Sequence, residues 1–60
     1  MPGFKQSELN WIREMVSGHQ MVANKLSAYA DQVQDPSIKQ MFTQASAQAK
    51  QSAQNLIQML

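Results

Sequence analysis

The side chains able to do chemistry are few. Sixty residues hold one histidine (His19), four carboxylates and no cysteine. A di-metal site in a helical bundle takes a glutamate from each of two helices and a Glu-x-x-His pair from each of the others. Glu8 and Glu14 are the only glutamates, and Glu14 falls off the apolar seam traced below. A zinc centre wants three or four ligands. One histidine per chain, or two in a dimer, falls short without outside donors. His19 therefore reads as a packed or hydrogen-bonded core histidine, with Ser52 or His19 of a second copy as its expected partner. A metal, pH-sensing or interface role is the alternative. Asp31 and Asp35 stand four apart, as a carboxylate pair on one helical face would. Asp35 precedes Pro36, however, and is better explained as a helix cap. Ser27 and Ser46 have no base beside them. No catalytic, cofactor-binding or metal-binding residue is assigned, and the chain is expected not to be an enzyme.

These residues sit on two long amphipathic stretches. From Leu9 the pattern runs Leu9, Ile12, Val16, His19, Ala23, Leu26, Ala30, Val33. Its alternating steps of three and four make an a/d heptad seam with His19 as the one polar entrant. Met15, Val22 and Tyr29 add an adjoining stripe, and Trp11 lies at its far side. A face this wide suits a bundle better than the narrow seam of a two-stranded coil. Ser7 is the expected N-cap, with Glu8 near the positive helix end. A second seam follows as Ile38, Phe42, Ala45, Ala49, Ser52, Leu56 and Met59, flanked by Met41, Ala53, Ile57 and Leu60. Its middle is built of small residues, which allow close approach or leave room for Leu26, Val22 and His19 opposite.

Between the seams lies Gln34-Asp35-Pro36. Asp35 is a good N-cap, and proline at the first helical position loses no needed hydrogen bond. Proline also bars the preceding residue from the helical region. With so little chain between them, the two helices must fold back antiparallel. The spacing predicts a disordered tail over 1–6 and one hairpin over 7–60. Its helices run over about 7–34 and 36–60, with the corner at 34–36. Gly18 stands mid-helix and costs about 1 kcal/mol relative to alanine.

A chain this short buries only about 60% of its unfolded surface, and such domains are marginal without a staple. No disulfide can supply one. The fold class expected is an all-α antiparallel helical hairpin that dimerises into a four-helix bundle. The interface would be formed by Leu9, Ile12, Val16, His19, Val22, Leu26, Tyr29, Val33, Ile38, Phe42, Ala45, Ala49, Ser52 and Leu56. The partner is a second copy, or several in a higher homo-oligomer.

Composition narrows the other partners. Five basic and four acidic side chains give a net charge of +1. That balance offers no electrostatic footprint for nucleic acid or an anionic membrane. Trp11 and Tyr29 lack the basic groove that base-stacking sites carry. The apolar runs are too short to span a membrane. Ten glutamines and six serines make the polar face largely uncharged. Gln40, Gln44, Gln48, Gln51, Gln54 and Gln58 read as a solvated surface, or as amides for side-by-side contacts or cross-linking to lysine. Met21, Met41 and Met59 offer an adaptable surface. Met1–Phe4 carries no apolar signal core, so cytoplasmic synthesis is expected.

Beyond these patterns, the chain after about residue 7 resembles the Coat F family of bacterial spore coat proteins. The resemblance lies in the spacing at Leu9 and Ile12, in "KLSAYADQVQDPSIKQMF" and in the closing "NLIQML". Tyr29, the Asp35-Pro36 corner and Ile38-Lys39-Gln40 carry most of it. It implies a ferritin-like helical fold, association with other coat proteins, and deposition on the forespore coat. Where the family often has a glutamate or lysine near His19, and glutamate or histidine near Ala47, Gln48 and Ala49, this chain has none. Inherited metal chemistry would lack its ligands. The expected function is a small structural protein acting by self-association, with a helical adaptor docked on a larger protein as the alternative. Leu26→Asp puts an unpaired charge in the seam and is expected to abolish the fold or the dimer. A folded, dimeric Leu26→Asp variant by circular dichroism and sedimentation would overturn the heptad assignment.

Overall fold

The computed structural model of the chain, described over residues 3–60, consists of α1 (Gln6–Gln32) and α2 (Pro36–Met59). The Tyr29 and Phe42 rings meet near the corner, with centroids 6.3 Å apart, while Ser46 reaches Ala23 farther from it. The helices therefore run antiparallel in a hairpin whose Cα envelope measures 47 × 13 × 9 Å. This is the all-α hairpin that the two seams and the corner predict. Of the expected N-terminal tail, Met1 and Pro2 lie outside the described residues.

The start of α1 differs from expectation. Lys5, not Ser7, holds the capping position, with φ −76° and ψ 160°. The Glu8 carboxylate reaches back and accepts the Lys5 backbone N–H at 2.8 Å, which is the reciprocal half of a capping box. With that donor satisfied, the helix begins a step early and Ser7 sits inside its first turn.

At the other end α1 stops at Gln32, short of the expected position 34. The Val33 N–H still donates to the Tyr29 carbonyl at 3.0 Å, but Val33 itself is extended. Asp35 is extended as well, at φ −69° and ψ 120°, as the clash with the Pro36 ring requires. Its Oδ1 accepts the amides of Ser37 at 2.8 Å and Ile38 at 3.3 Å. Two of the orphan donors at the start of α2 are thereby met. Among the described residues no non-glycine takes a positive φ, so the reversal comes from a short extended link and a strong cap.

Apart from Ile12, the buried contact between the helices is made of small residues. Ile12, Ala23 and Ala30 are buried on α1, with Ser46, Ala49 and Ala53 on α2. This corrects the phase expected for the second helix. Its centre runs Phe42, Ser46, Ala49, Ala53, Leu56, rotated from the seam through Ala45 and Ser52. Those two are half-buried at one edge, and Ile38 and Met59 are exposed. Alanine on both sides allows the two helix axes to approach closely.

The cap yields a direct test. Asp35→Ala removes both amide contacts and is expected to cost about 1 kcal/mol, read as a lowered Tm with unchanged helicity at 10 °C.

Candidate functional site

Helical periodicity gives the hairpin two unlike broad faces. One is polar. Ser27, Ala30, Asp31, Thr43, Ser46, Ala47 and Lys50 line a shallow groove of about 310 Å³ between the helices. The buried Ser46 hydroxyl donates to the Ala23 carbonyl at 2.9 Å and lies 2.8 Å from the Ser27 hydroxyl. A serine has one hydroxyl hydrogen. With that hydrogen committed to Ala23, Ser27 is the donor to Ser46 Oγ. Ser27 could otherwise have bonded back to the same Ala23 carbonyl, four residues before it. The pair is thus a completed cross-helix hydrogen-bond chain with no base or acid attached, and it holds the helices rather than activating a nucleophile. Among the described residues no buried side-chain donor or acceptor is left unpaired.

The other face is apolar and open. Positions seven apart share a helical stripe, and Trp11, Met15, Val22 and Tyr29 follow one such edge of α1. His19, Leu26 and Val33 stand just inside it. Opposite them on α2 are Ile38, Met41, Phe42, Ala45, Ser52, Leu56 and Met59, joined across the hairpin by the Tyr29–Phe42 contact. The charged residues nearest this face stand at its margin: Glu8, seven before Met15, and Lys25, seven after Gly18. The largest side chains are the least covered, with Trp11 58% and Met41 64% exposed.

The residues expected to form an interface divide accordingly. The hairpin buries Ile12 and Ala49 by itself. It half-covers Leu9, Val16, His19, Leu26, Val33, Phe42, Ala45, Ser52 and Leu56, and leaves Val22, Tyr29 and Ile38 outside. Ser46 and Ser27 are the structural residues missed from the sequence, and Ala53, expected to flank the seam, lies at its centre. The signal for Ser46 and Ala53 was the spacing of Phe42, Ser46, Ala49, Ala53 and Leu56. Met21 lies two residues from Ala23, about 200° around α1, so it does not join Met41 and Met59 on the open face. The six α2 glutamines are exposed, and the Gln51 amide donates to Asn55 at 2.9 Å.

His19 does not bond to Ser52 as expected. Its Nδ1 lies 2.7 Å from the Met15 carbonyl of its own helix. A carbonyl only accepts, so Nδ1 carries the proton in this bond. Met15, Gly18, His19 and Val22 together line a shallow depression of about 380 Å³. Among the described residues, no three His, Cys, Asp or Glu side chains gather where they could hold a metal ion. No helix there is long and apolar enough to cross a membrane.

Fold and face together define a two-helix hairpin with one uncovered, largely apolar surface. No family model, curated protein or solved structure matches this chain.

The His19 bond duplicates a helical one, because the Met15 carbonyl already accepts an amide in the regular ladder. His19→Leu is therefore expected to keep stability or raise it by up to about 1 kcal/mol, measured by urea unfolding. A loss of several kcal/mol would show that the imidazole has a partner beyond its own helix.

Proposed function

We propose that the chain is a small structural protein that works by self-association. Its apolar face packs on a second copy and completes a four-helix bundle. The observation that carries this reading is the uncovered face itself. Most of the exposed large apolar side chains lie on it, whereas the buried core is Ile12, four alanines and Ser46. Monomers rarely leave so continuous a patch exposed. The centre of the face carries no formal charge, so burying it incurs little of the desolvation cost that opposes ion burial. The Cα outline of a broad face is on the order of 600 Å² before side chains are counted, near the roughly 800 Å² that each partner of a standard interface buries. No turnover is required of such a protein.

The resemblance to Coat F proteins supplies the setting: a spore-coat component that assembles with itself and with other coat proteins on the forespore. A second reading is favoured by Met15, Met41 and Met59 on the open face, because flexible thioethers adapt to varied surfaces. In that reading the hairpin is an adaptor whose face docks on a larger protein.

Light scattering after size exclusion, over a concentration series with and without EDTA, separates the two. A stable species at twice the chain mass, indifferent to EDTA, is expected. A monomer, or a polydisperse and partly unfolded sample, would overturn self-association and favour the adaptor.

A further inference from the structure

The two edges of the open face differ in character, and that difference selects one way of pairing. This step rests on the self-association reading above. Two hairpins can be laid face to face about a twofold axis in two ways. With the axis along the helices, both corners lie at one end and α1 of each copy covers α2 of the other. With the axis across the helices, the corners lie at opposite ends, α1 covers α1, and α2 covers α2.

The outer edge of α1 carries Trp11, Met15, Val22 and Tyr29, with Glu8 at its start and Lys25 on its outer flank. The corresponding edge of α2 carries Met41, Gln48, Asn55 and Met59, with Ala45 and Ser52 just inside it. Covering one with the other would set amides and hydroxyls against methionine, valine and tyrosine. Each polar group left without a partner would cost about 1–3 kcal/mol. Like upon like instead puts apolar side chains together and lets the amides and hydroxyls meet one another or water.

Gly18 points the same way. It stands in the middle of α1, where glycine costs about 1 kcal/mol relative to alanine. A Cβ built there would meet nothing within 4 Å, so the hairpin has no use for its smallness. Yet Gly18 lines the depression together with Met15, His19 and Val22. Those four positions are i, i+3, i+4 and i+7, the four-residue hole into which a facing helix inserts a knob. A glycine in one wall leaves this hole wider than any side chain there would.

We infer that two copies pair through α1 on α1, antiparallel about an axis near Val22. Each Met15–Gly18–His19–Val22 hole then takes a large side chain from between positions 22 and 29 of the second copy. The corners lie at opposite ends of the bundle. The partner is a second copy of this chain, and the α2 edges close the far side as a thinner, more polar seam.

Two measurements test it. Gln34→Cys places a single thiol at the exposed corner of a chain with no other cysteine. Gln34 stands twelve residues from Val22, so nitroxide labels in the dimer are expected on the order of 36 Å apart by the 1.5 Å rise. A separation under about 20 Å, too short for corners at opposite ends of a helix of this length, would overturn the pairing while leaving self-association standing. Absence of any dimer would instead remove the self-association reading on which the pairing rests. Gly18→Leu fills the hole without disturbing the hairpin, since nothing lies near that position. It is expected to weaken dimerisation about tenfold or more, the scale of an overpacking penalty of 1–3 kcal/mol, while helicity holds or rises. Unchanged or tighter dimerisation would overturn the assignment of the hole.

Discussion

Everything else in this hairpin depends on the close contact of two helices through residues with almost no side chain. Ala23 and Ala30 on α1 face Ser46, Ala49 and Ala53 on α2. The Ser46 hydroxyl spans the gap to the Ala23 carbonyl in a single hydrogen bond of 2.9 Å. Such a bond from a side chain this short requires the backbones to be near each other. A seam so narrow has no room for methionine, tyrosine or tryptophan. Those side chains are displaced to the edges and onto one face. The uncovered apolar surface and the thin internal core are thus two consequences of one packing choice.

The hydrogen-bond chain from Ser27 through Ser46 to Ala23 also fixes the rotation of α2 about its axis. An all-alanine contact would tolerate neighbouring registers at similar energy, because small apolar residues interdigitate weakly. A buried hydroxyl does not, since turning it away from its carbonyl leaves it unpaired. The rotation chosen sends Thr43 and Lys50 to the polar side with Asp31 and turns Ile38, Ala45, Ser52 and Met59 toward the open face. A structural polar contact on one side thereby decides which residues the other side offers to a partner.

The corner was legible from the sequence because its physics is local. Asp35 before Pro36 specifies a cap, a helix start and an extended preceding residue with no help from the rest of the chain. The face of α1 was legible for a different reason: Leu9, Ile12, Val16 and Leu26 are large enough for their periodicity to stand out. The phase of α2 was not. Between Ala45 and Ala53 the chain is alanine, serine, glutamine and one lysine, and seams through Ser46 or through Ser52 are nearly equal in apolar content. The N-cap at Lys5 was hidden likewise, since the Glu8 carboxylate reaching back to a backbone amide outweighed a serine at the customary place.

By itself, then, the sequence determined two helices, their antiparallel return, and a broad apolar stripe on the first. Each of these follows from residue type and spacing along a single helix. Only the tertiary structure decided which serine is inside, where His19 finds its hydrogen bond, and which large side chains remain uncovered. Those outcomes turn on which carbonyl of one helix meets which hydroxyl of the other. That is a property of two backbones brought together, and no periodicity within either helix contains it.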